Sequence, residues 1–131
     1  MDSQLSFKKP SLLELESLSS WSRDNLQSAL DDGRVIGIFI KELFVGYLIY
    51  SKPEWCIEDL VISETHRRKG FAKALIRELV KLINPGESVY LEVRSKNLAA
   101  QSLYQSENFK KISVRQRYYN DDDAIVMCRI I

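Results

Sequence analysis

Residues 60–75, which read LVISETHRRKGFAKAL, decide the fold of this chain. An apolar, strand-like run leads into a basic loop with one glycine, and that loop opens directly into a helix. The first turn of a helix leaves backbone N–H groups without intrahelical partners, and the helix dipole puts partial positive charge there. Residues 67–69 and Lys73 add full charges, while Gly70 and Ala72 let a ligand approach the backbone closely. The segment predicts a site for a polyanion such as a pyrophosphate.

A simpler interpretation of the same segment is that Gly70 is a turn residue and that the cations form a solvated face. Known phosphate motifs do not decide between the two. The segment is not a P-loop, because the pattern GxxxxGK[ST] is absent. It also lacks the G-x-G-x-x-G pattern of dinucleotide-binding folds, and the strands before it have an antiparallel character. The residues alone therefore leave both interpretations open.

Hydrophobic periodicity predicts seven strands and four helices around this segment. The predicted strands are Leu5–Lys9, Val35–Ile40, Leu43–Ser51, Trp55–Ile62, Ser88–Arg94, Phe109–Gln116 and Ala124–Ile130. The predicted helices run from Pro10-Ser11 to Leu18, from an N-cap at Ser22 to about Leu30, from Gly70 to Ile83, and from Asn97 to Glu107. This order is typical of an α/β (α+β) fold with a mixed, mostly antiparallel sheet of six to seven strands and about four helices on its faces.

Two local patterns sharpen this outline. Only Lys41-Glu42 separates the second and third strands, so we predict a tight hairpin there although Gly and Asn are lacking. In the third helix a wide apolar stripe predicts burial against the sheet. That stripe consists of Phe71, Leu75, Leu79 and Leu82 on one face, with Ala72, Ile76, Val80 and Ile83 beside them.

Length and composition favour a single soluble domain over residues 1–131, with no repeat or linker. The net charge of +1 gives no field that would attract nucleic acid or an anionic membrane. The longest apolar stretch, residues 43–50, is far below the roughly 18–20 residues of a membrane helix, and the N-terminus lacks a signal-peptide core. Cys56 and Cys128 lie in apolar runs, and with one histidine we expect buried, reduced thiols and no metal site. We expect a cytoplasmic protein.

Three motifs in order resemble the GNAT acetyltransferases. Arg67-x-x-Gly70-x-Ala72 matches their Q/R-x-x-G-x-G/A signature, between the fourth strand and the third helix as in that family. Residues 91–109, LEVRSKNLAAQSLYQSENF, are similar to the LEVRxxNxxAxxLYxxxGF stretch of the ribosomal-protein-alanine N-acetyltransferases, the RimI type. Residues 115–127 resemble their R-x-x-Y-Y and D-A-I-x-M tail, and Ser20-Trp21-Ser22 resembles their P-W-S motif. The resemblance covers most of the chain and is strongest from Leu60 onward.

The resemblance implies a single GNAT domain that uses acetyl-CoA as co-substrate, without a metal. Backbone groups of Leu60, Val61 and Ile62 are expected along the pantetheine arm and the acetyl carbonyl, in the manner of an added strand. Asn97 is expected as a polar cofactor contact and as a helix cap. The pyrophosphate is expected against Arg67, Arg68, Lys69, Gly70, Phe71, Ala72 and Lys73.

By the same resemblance, two residues carry the chemistry. Alternation along residues 88–94 puts Glu92 on the face opposite the apolar set, and the resemblance makes it the general base. Tyr104 is implied as the acid that protonates the coenzyme A thiolate. A structural carboxylate paired with an Arg or Lys, and a core tyrosine, are the alternatives, and Glu58 and Asp59 are rival bases. The family transfers the acetyl group directly, without an acyl-enzyme.

The acceptor implied is a free protein N-terminus, the alanine of the eighteenth protein of the small ribosomal subunit. Trp21, Tyr118 and Tyr119 are expected to line its site. The run Asp121–Asp123 is expected as a solvated turn that attracts a basic peptide. Two other functions stay open: a GNAT that acetylates lysine side chains or small amines, and a non-catalytic module that binds acetyl-CoA. An intact loop together with Glu92 and Tyr104 argues against the second.

Overall fold

The computed structural model describes residues 4–131 and gives seven strands, four α-helices and a short 3₁₀ turn at Glu64–His66. The strands are β1 (Leu5–Lys8), β2 (Val35–Ile40), β3 (Leu43–Ser51), β4 (Cys56–Ile62), β5 (Ser88–Arg94), β6 (Lys110–Arg115) and β7 (Ala124–Ile130). The helices are α1 (Leu12–Leu18), α2 (Arg23–Asp31), α3 (Phe71–Val80) and α4 (Leu98–Ser106). The element order predicted from the sequence is confirmed, with ends shifted by at most three residues.

The strands form one mixed sheet in the order β1-β2-β3-β4-β5-β7-β6. β1 pairs antiparallel with β2, and β2 with β3. β4 and β5 are parallel, with Cys56 opposite Tyr90 and Ile57 opposite Leu91. β7 then pairs antiparallel with both β5 and β6. The predicted mixed, mostly antiparallel sheet with four helices is confirmed.

The chain divides into two compact units. The first contains the chain up to Tyr50 together with Asp59–Leu82, and therefore α1, α2, α3 and β1–β3. The second contains Ser51–Glu58 and Ile83–Ile131, and therefore α4 and β5–β7. β4 begins in the second unit and ends in the first. A single domain over the whole chain stays a prediction.

In the first unit, α1 and α2 share an apolar cluster with β2 and β3. Ser11 caps α1 and exchanges hydrogen bonds with Glu14, and Ser22 caps α2 through the N–H of Asn25, as its residue type predicts. The cluster is formed by Leu15, Leu26, Ala29, Leu30, Val35, Tyr47 and Ile49. One tyrosine within an otherwise apolar set marks a polar contact inside this unit.

The tight hairpin at Lys41-Glu42 is present, and its backbone explains how it does without glycine. Lys41 adopts a φ of +56°, the left-handed conformation that the mirror-image hairpin turns require. For a residue with a Cβ this conformation costs roughly 1–2 kcal/mol, which the pairing of β2 with β3 offsets. The sequence signal for this turn was its length rather than its residue types.

α3 is shorter than predicted, and the predicted stripe was wrong at one position. The helix ends at Val80, and a tighter bond from the N–H of Leu82 to the Leu79 carbonyl closes its last turn. Leu82 consequently lies outside the helix and is 51% exposed, whereas Phe71, Leu75 and Leu79 are buried as expected. No helix within residues 4–131 combines the length and apolar character needed to cross a membrane.

Candidate active site

The loop before α3 leaves free space beside its backbone at Gly70. Arg68 and Gly70 both have left-handed conformations, with φ of +64° and +83°. Among residues 4–131, a Cβ built on Gly70 would meet no atom within 4 Å beyond its chain neighbours, and no side chain caps the ten-residue helix. The N–H groups of the first turn therefore face an accessible, positively polarised space that suits a pyrophosphate.

The predicted cofactor residues around this loop, all in the first unit, have different roles. Arg68 and Lys69 are exposed and suited to meet phosphate oxygens. The Nε of Arg67 donates instead to the carbonyl of Ile62 at 3.1 Å, so that side chain braces the loop against the end of β4. Phe71 is only 7% exposed and contributes its backbone alone, while Ala72 and Lys73 are half-buried in the first turn.

The end of β4 lies close to β3. A Cβ on Gly46 would come within 2.7 Å of the Val61 carbonyl oxygen and 2.6 Å of Ile62, so only glycine fits there. Leu60 and Val61 are half-buried, which leaves part of this segment accessible, whereas Ile62 is buried. The role of Leu60, Val61 and Ile62 along the pantetheine arm stays a prediction.

In the second unit, Glu92 has the predicted orientation and an arginine partner. Val89, Leu91 and Val93 are buried on one face of β5, and the side chain of Glu92 is 27% exposed on the other. The Nη1 of Arg115, on the edge strand β6, contacts the Glu92 Oε1 at 2.5 Å. This hydrogen bond to Glu92 raises the pKa of the Arg115 guanidinium. The carboxylate is thus ion-paired, as expected for a structural carboxylate paired with an Arg or Lys. The role of Glu92 as general base stays a prediction.

Each of the two tyrosines in the β6–β7 loop makes a cation–π contact with an arginine. Arg115 lies over the ring of Tyr118 at 4.4 Å, and Arg94 lies over Tyr119 at 4.2 Å. The two tyrosine rings meet edge to face at 5.0 Å. Burial raises the pKa of Tyr119, and the negative charge of Glu92 acts in the same direction. Glu92 and the tyrosine pair therefore lie in one place, linked by Arg115.

The expectation of a solvated turn at Asp121–Asp123 was wrong for its central residue. Asp122 is 7% exposed and accepts hydrogen bonds from the Ser95 hydroxyl, from the N–H of Lys96 at 3.1 Å and from the N–H of Asp123 at 2.8 Å. Only Asp121 is exposed, and it pairs with Arg94. The negative charge of Asp122 fastens the β6–β7 loop to the β5–α4 turn.

Asp122→Asn should make the stability of the protein less sensitive to acid. Hydrogen bonding from Ser95 lowers the pKa of Asp122 from its ordinary 3.8, so the ionised group stabilises the fold above that value. This stabilisation is lost as pH falls through the lowered pKa of the folded state. The difference in urea midpoint between wild type and variant should be constant above about pH 5 and shrink below about pH 4. Asp121→Asn is the exposed control, and a difference that persists unchanged to about pH 2 would contradict the assignment.

The remaining predicted residues of the second unit lie on α4. Asn97 caps that helix, accepting the N–H of Ala100 at 3.1 Å, and is exposed. Tyr104 is 8% exposed, and its ring packs edge to face on Phe109 at 5.6 Å. Asn97 as cap is confirmed; its contact with the cofactor and the acid role of Tyr104 stay predictions.

The two rival bases have different surroundings, and the cysteines are poor nucleophile candidates. Glu58 is exposed, whereas Asp59 is half-buried and bonded to Tyr47. Burial raises the pKa of the Cys56 thiol, and the charges of Glu58 and Glu92 add to this, which makes it a poor nucleophile. Both cysteines are free but half-buried rather than buried, because their strands expose one face. The described part of the chain contains no cluster of three or more His, Cys, Asp or Glu side chains suited to a metal.

Trp21, the predicted acceptor residue of the first unit, is half-buried and packs against the apolar cluster of α1 and α2. Its N–H donates to the Ser19 Oγ at 3.0 Å, which fixes the α1–α2 connection locally. Sequence reasoning missed three contacts: the pairing of Arg115 with Glu92, the anchoring of Asp122, and the pairing of Tyr47 with Asp59. Each joins residues that are distant along the chain, so no local pattern signals them.

With this geometry in place, comparison with known proteins establishes the class. A model of the acetyltransferase (GNAT) family matches residues 4–109. The chain belongs to the GNAT acetyltransferase family, and this domain is an N-acetyltransferase domain whose acetyl donor is acetyl-CoA.

Several of its relatives are N-alpha-acetyltransferases. The one from Saccharolobus solfataricus is 36% identical over 110 residues, which cover 77% of this chain and 66% of that protein. The N-alpha-acetyltransferase RimI of Mycobacterium tuberculosis is 36% identical over 113 residues, 80% and 71% of the two chains. The ribosomal protein bS18-alanine N-acetyltransferase of Escherichia coli K12 is 33% identical over 75 residues, 53% and 51%. The chain thus spans between about half and somewhat more than two thirds of these three relatives.

Solved structures show the same fold. Ard1 from Thermoplasma volcanium superposes with a TM-score of 0.85 at 22% identity, over 98% of both chains. NAA60 of Arabidopsis thaliana in complex with acetyl-CoA gives a TM-score of 0.80 at 21% identity, over 97% of this chain and 99% of that one. At these identities the likeness supports the fold alone.

Proposed function

We propose that this chain is an Nα-acetyltransferase that acetylates the N-terminal alanine of a ribosomal protein, the bS18 type, in the cytoplasm. Relatives at 33–36% identity that act on protein N-termini support the reaction. The observation that carries the proposal is the Arg115 contact that joins Glu92 to Tyr118, because it puts a carboxylate beside an aromatic pair on one loop.

Acetyl-CoA supplies an acetyl group activated as a thioester. The first turn of α3 with Arg68, Lys69 and Lys73 holds the negative charge of its pyrophosphate, and Gly70 gives that group room. Backbone groups of β4 at residues 60–62 orient the pantetheine arm.

Glu92 takes the proton of the acceptor amine, directly or through one water. Arg115 contacts its Oε1, so we assign the proton to Oε2. The phenol of Tyr104 donates the proton that the departing thiolate needs. Neither step requires a covalent acyl-enzyme, in keeping with the poor nucleophilicity of Cys56.

Trp21, Tyr118 and Tyr119 receive the acceptor peptide. The amine must come close to the thioester carbonyl, and a bulky first side chain would hold it back, so a small first residue such as alanine is preferred. Asp121 is the exposed carboxylate of the loop that can attract a basic second residue, a weak contribution on its own.

A peptide that begins Ala-Arg should be acetylated at its α-amine, because the site accepts a small first residue and a basic second one. Mass spectrometry with fragmentation should place the added group on the first residue. An N-terminally blocked peptide of the same sequence, with an internal lysine, is the control and should not react. Acetylation of the internal lysine, or reaction with polyamines alone, would contradict the proposed acceptor.

A further inference from the structure

Two adjoining cavities lie at the turn between β3 and β4, within the second unit. Their volumes are about 450 and 470 Å³, a size that accommodates one or two side chains of a ligand. Pro53, Glu54, Trp55 and Tyr90 line both cavities. The N–H of Tyr90 donates to the Trp55 carbonyl at 3.0 Å, which fixes the turn against β5. We call these four residues the β3–β4 groove.

The β3–β4 groove combines aromatic side chains with carboxylates. Tyr90 is 41% exposed and Trp55 is half-buried, so both are accessible in part. Within residues 4–131, the exposed Glu54 carboxylate has no hydrogen bond or ion pair. In that part of the chain, Lys52 is the only basic residue that lines either cavity, against the acidic Glu54 and Glu87. Aromatic faces and carboxylates both attract cations, so the groove suits a basic side chain whose alkyl stem lies on an aromatic ring.

The groove continues onto the face of β5 that carries Glu92. Side chains alternate along a strand, so Tyr90 and Glu92 share this face. Cys56 on β4 and Cys128 on β7 lie opposite Tyr90, and both are half-buried. Short side chains therefore flank Tyr90 on both neighbouring strands, and the proposed base is one same-face step away from it.

The same face is less favourable to a cation in the other directions. Beyond Glu92 on β5, Arg94 lies over the ring of Tyr119. Toward the sheet edge, Arg115 lies over the ring of Tyr118 and contacts the Glu92 carboxylate. Both of these directions present a guanidinium to an incoming basic residue, whereas the β3–β4 groove presents carboxylates.

We propose that the β3–β4 groove binds a basic side chain of the acceptor polypeptide downstream of the acetylated N-terminus, an inference that rests on the proposed function. The parallel pairing of Cys56 with Tyr90 puts Glu54 level with Ser88. Ser88 is about four residues from Glu92, or roughly 13 Å along an extended chain. An acceptor whose α-amine is at Glu92 therefore places about its fourth or fifth residue in the groove. The groove selects for a basic residue there, in addition to the small first residue.

Two peptides of equal length test the groove. Both begin Ala-Arg, and one has arginines at its fourth and fifth positions where the other has glutamines. The wild-type kcat/KM should be roughly five- to tenfold higher for the arginine peptide, the size expected of one exposed ion pair and one cation–π contact. Glu54→Lys should reduce this preference below about twofold. Equal use of the two peptides by the wild type, or an unchanged preference in Glu54→Lys, would overturn the groove.

Glu42→Lys is the matched control. The Glu42 side chain is 91% exposed on the β2–β3 hairpin of the first unit, where it pairs with Lys8. This substitution changes the net charge as Glu54→Lys does, but outside the groove. The preference for the arginine peptide should stay at its wild-type value. An equal loss of preference in both variants would assign it to overall charge and overturn the groove.

Binding without reaction separates the groove from the proposed function. The N-acetylated arginine peptide has no α-amine to react. The chain has two tryptophans, and Trp55→Phe identifies the indole N–H resonance of Trp55 by its loss. Titration of the wild type with the blocked arginine peptide should shift this resonance to saturation, and the blocked glutamine peptide should shift it far less. Absence of a shift with the arginine peptide would overturn the groove. A shift in a protein that acetylates no N-terminal peptide would retain the groove and refute the proposed acceptor.

Discussion

Glu92→Gln should lower kcat for peptide acetylation roughly 10²–10⁴-fold, the usual effect of removing a general base. Glutamine keeps the shape of the side chain but cannot take the amine proton. Acetyl-CoA affinity should be unchanged, because the cofactor contacts assigned to α3 and β4 do not involve this group. Raising the pH should partly restore the rate, since more of the amine is then neutral without a base.

The ion pair with Arg115 provides the control that separates the two roles of Glu92. A Glu92 that only anchors the loop of Tyr118 and Tyr119 would give Glu92→Gln an effect no larger than that of Arg115→Met, because both disrupt the ion pair and Arg115→Met also removes the contact with Tyr118. If Glu92 is the base, the Glu92→Gln variant should lose far more activity than the Arg115→Met variant. A near-wild-type rate for Glu92→Gln would move the base to Glu58 or Asp59.

Much of the cofactor side could be predicted from the sequence because its parts are contiguous. The strand, the basic loop, Gly70 and the first turn of α3 lie within sixteen residues, so local rules of capping and glycine conformation apply to all of them. The structure adds that Arg67 is bound back to Ile62, a contact of one side chain with a nearby carbonyl that composition does not reveal.

The acceptor side could be predicted only as a set of residue types. Glu92 and Arg115 are 23 residues apart along the chain. Their strands β5 and β6 both pair with β7, and the long arginine side chain reaches across β7 to the carboxylate. Likewise, three consecutive aspartates have the pattern of a solvated turn, and only the fold shows that Asp122 reaches Ser95 and Lys96. Strand pairing and register decide these contacts. Neither can be read from the residues that are close to each other along the chain.

Gly70→Val should abolish measurable acetyl-CoA binding, a loss of at least about 100-fold or roughly 2.7 kcal/mol. The valine would project a branched side chain into the open space before α3, where an added Cβ meets no atom of residues 4–131 within 4 Å beyond its chain neighbours and where the pyrophosphate is proposed to bind. Because Gly70 has a φ of +83°, valine also strains the backbone, by about 1–3 kcal/mol. Loss of binding could therefore come from strain or from the blocked site, and a control must separate them.

Gly86 offers that control. It has a φ of +92°, again with nothing within 4 Å of an added Cβ, and it lies in the turn between α3 and β5 rather than at the helix N-terminus. Gly86→Val should carry the same kind of backbone strain, so both variants should melt at comparably lower temperatures. Calorimetry should then show wild-type acetyl-CoA affinity for Gly86→Val and no detectable binding for Gly70→Val. A folded Gly70→Val variant that binds acetyl-CoA with wild-type affinity would show that the α3 loop is not part of the cofactor site. An equal loss of acetyl-CoA affinity in both variants would show that backbone strain alone explains the effect of Gly70→Val.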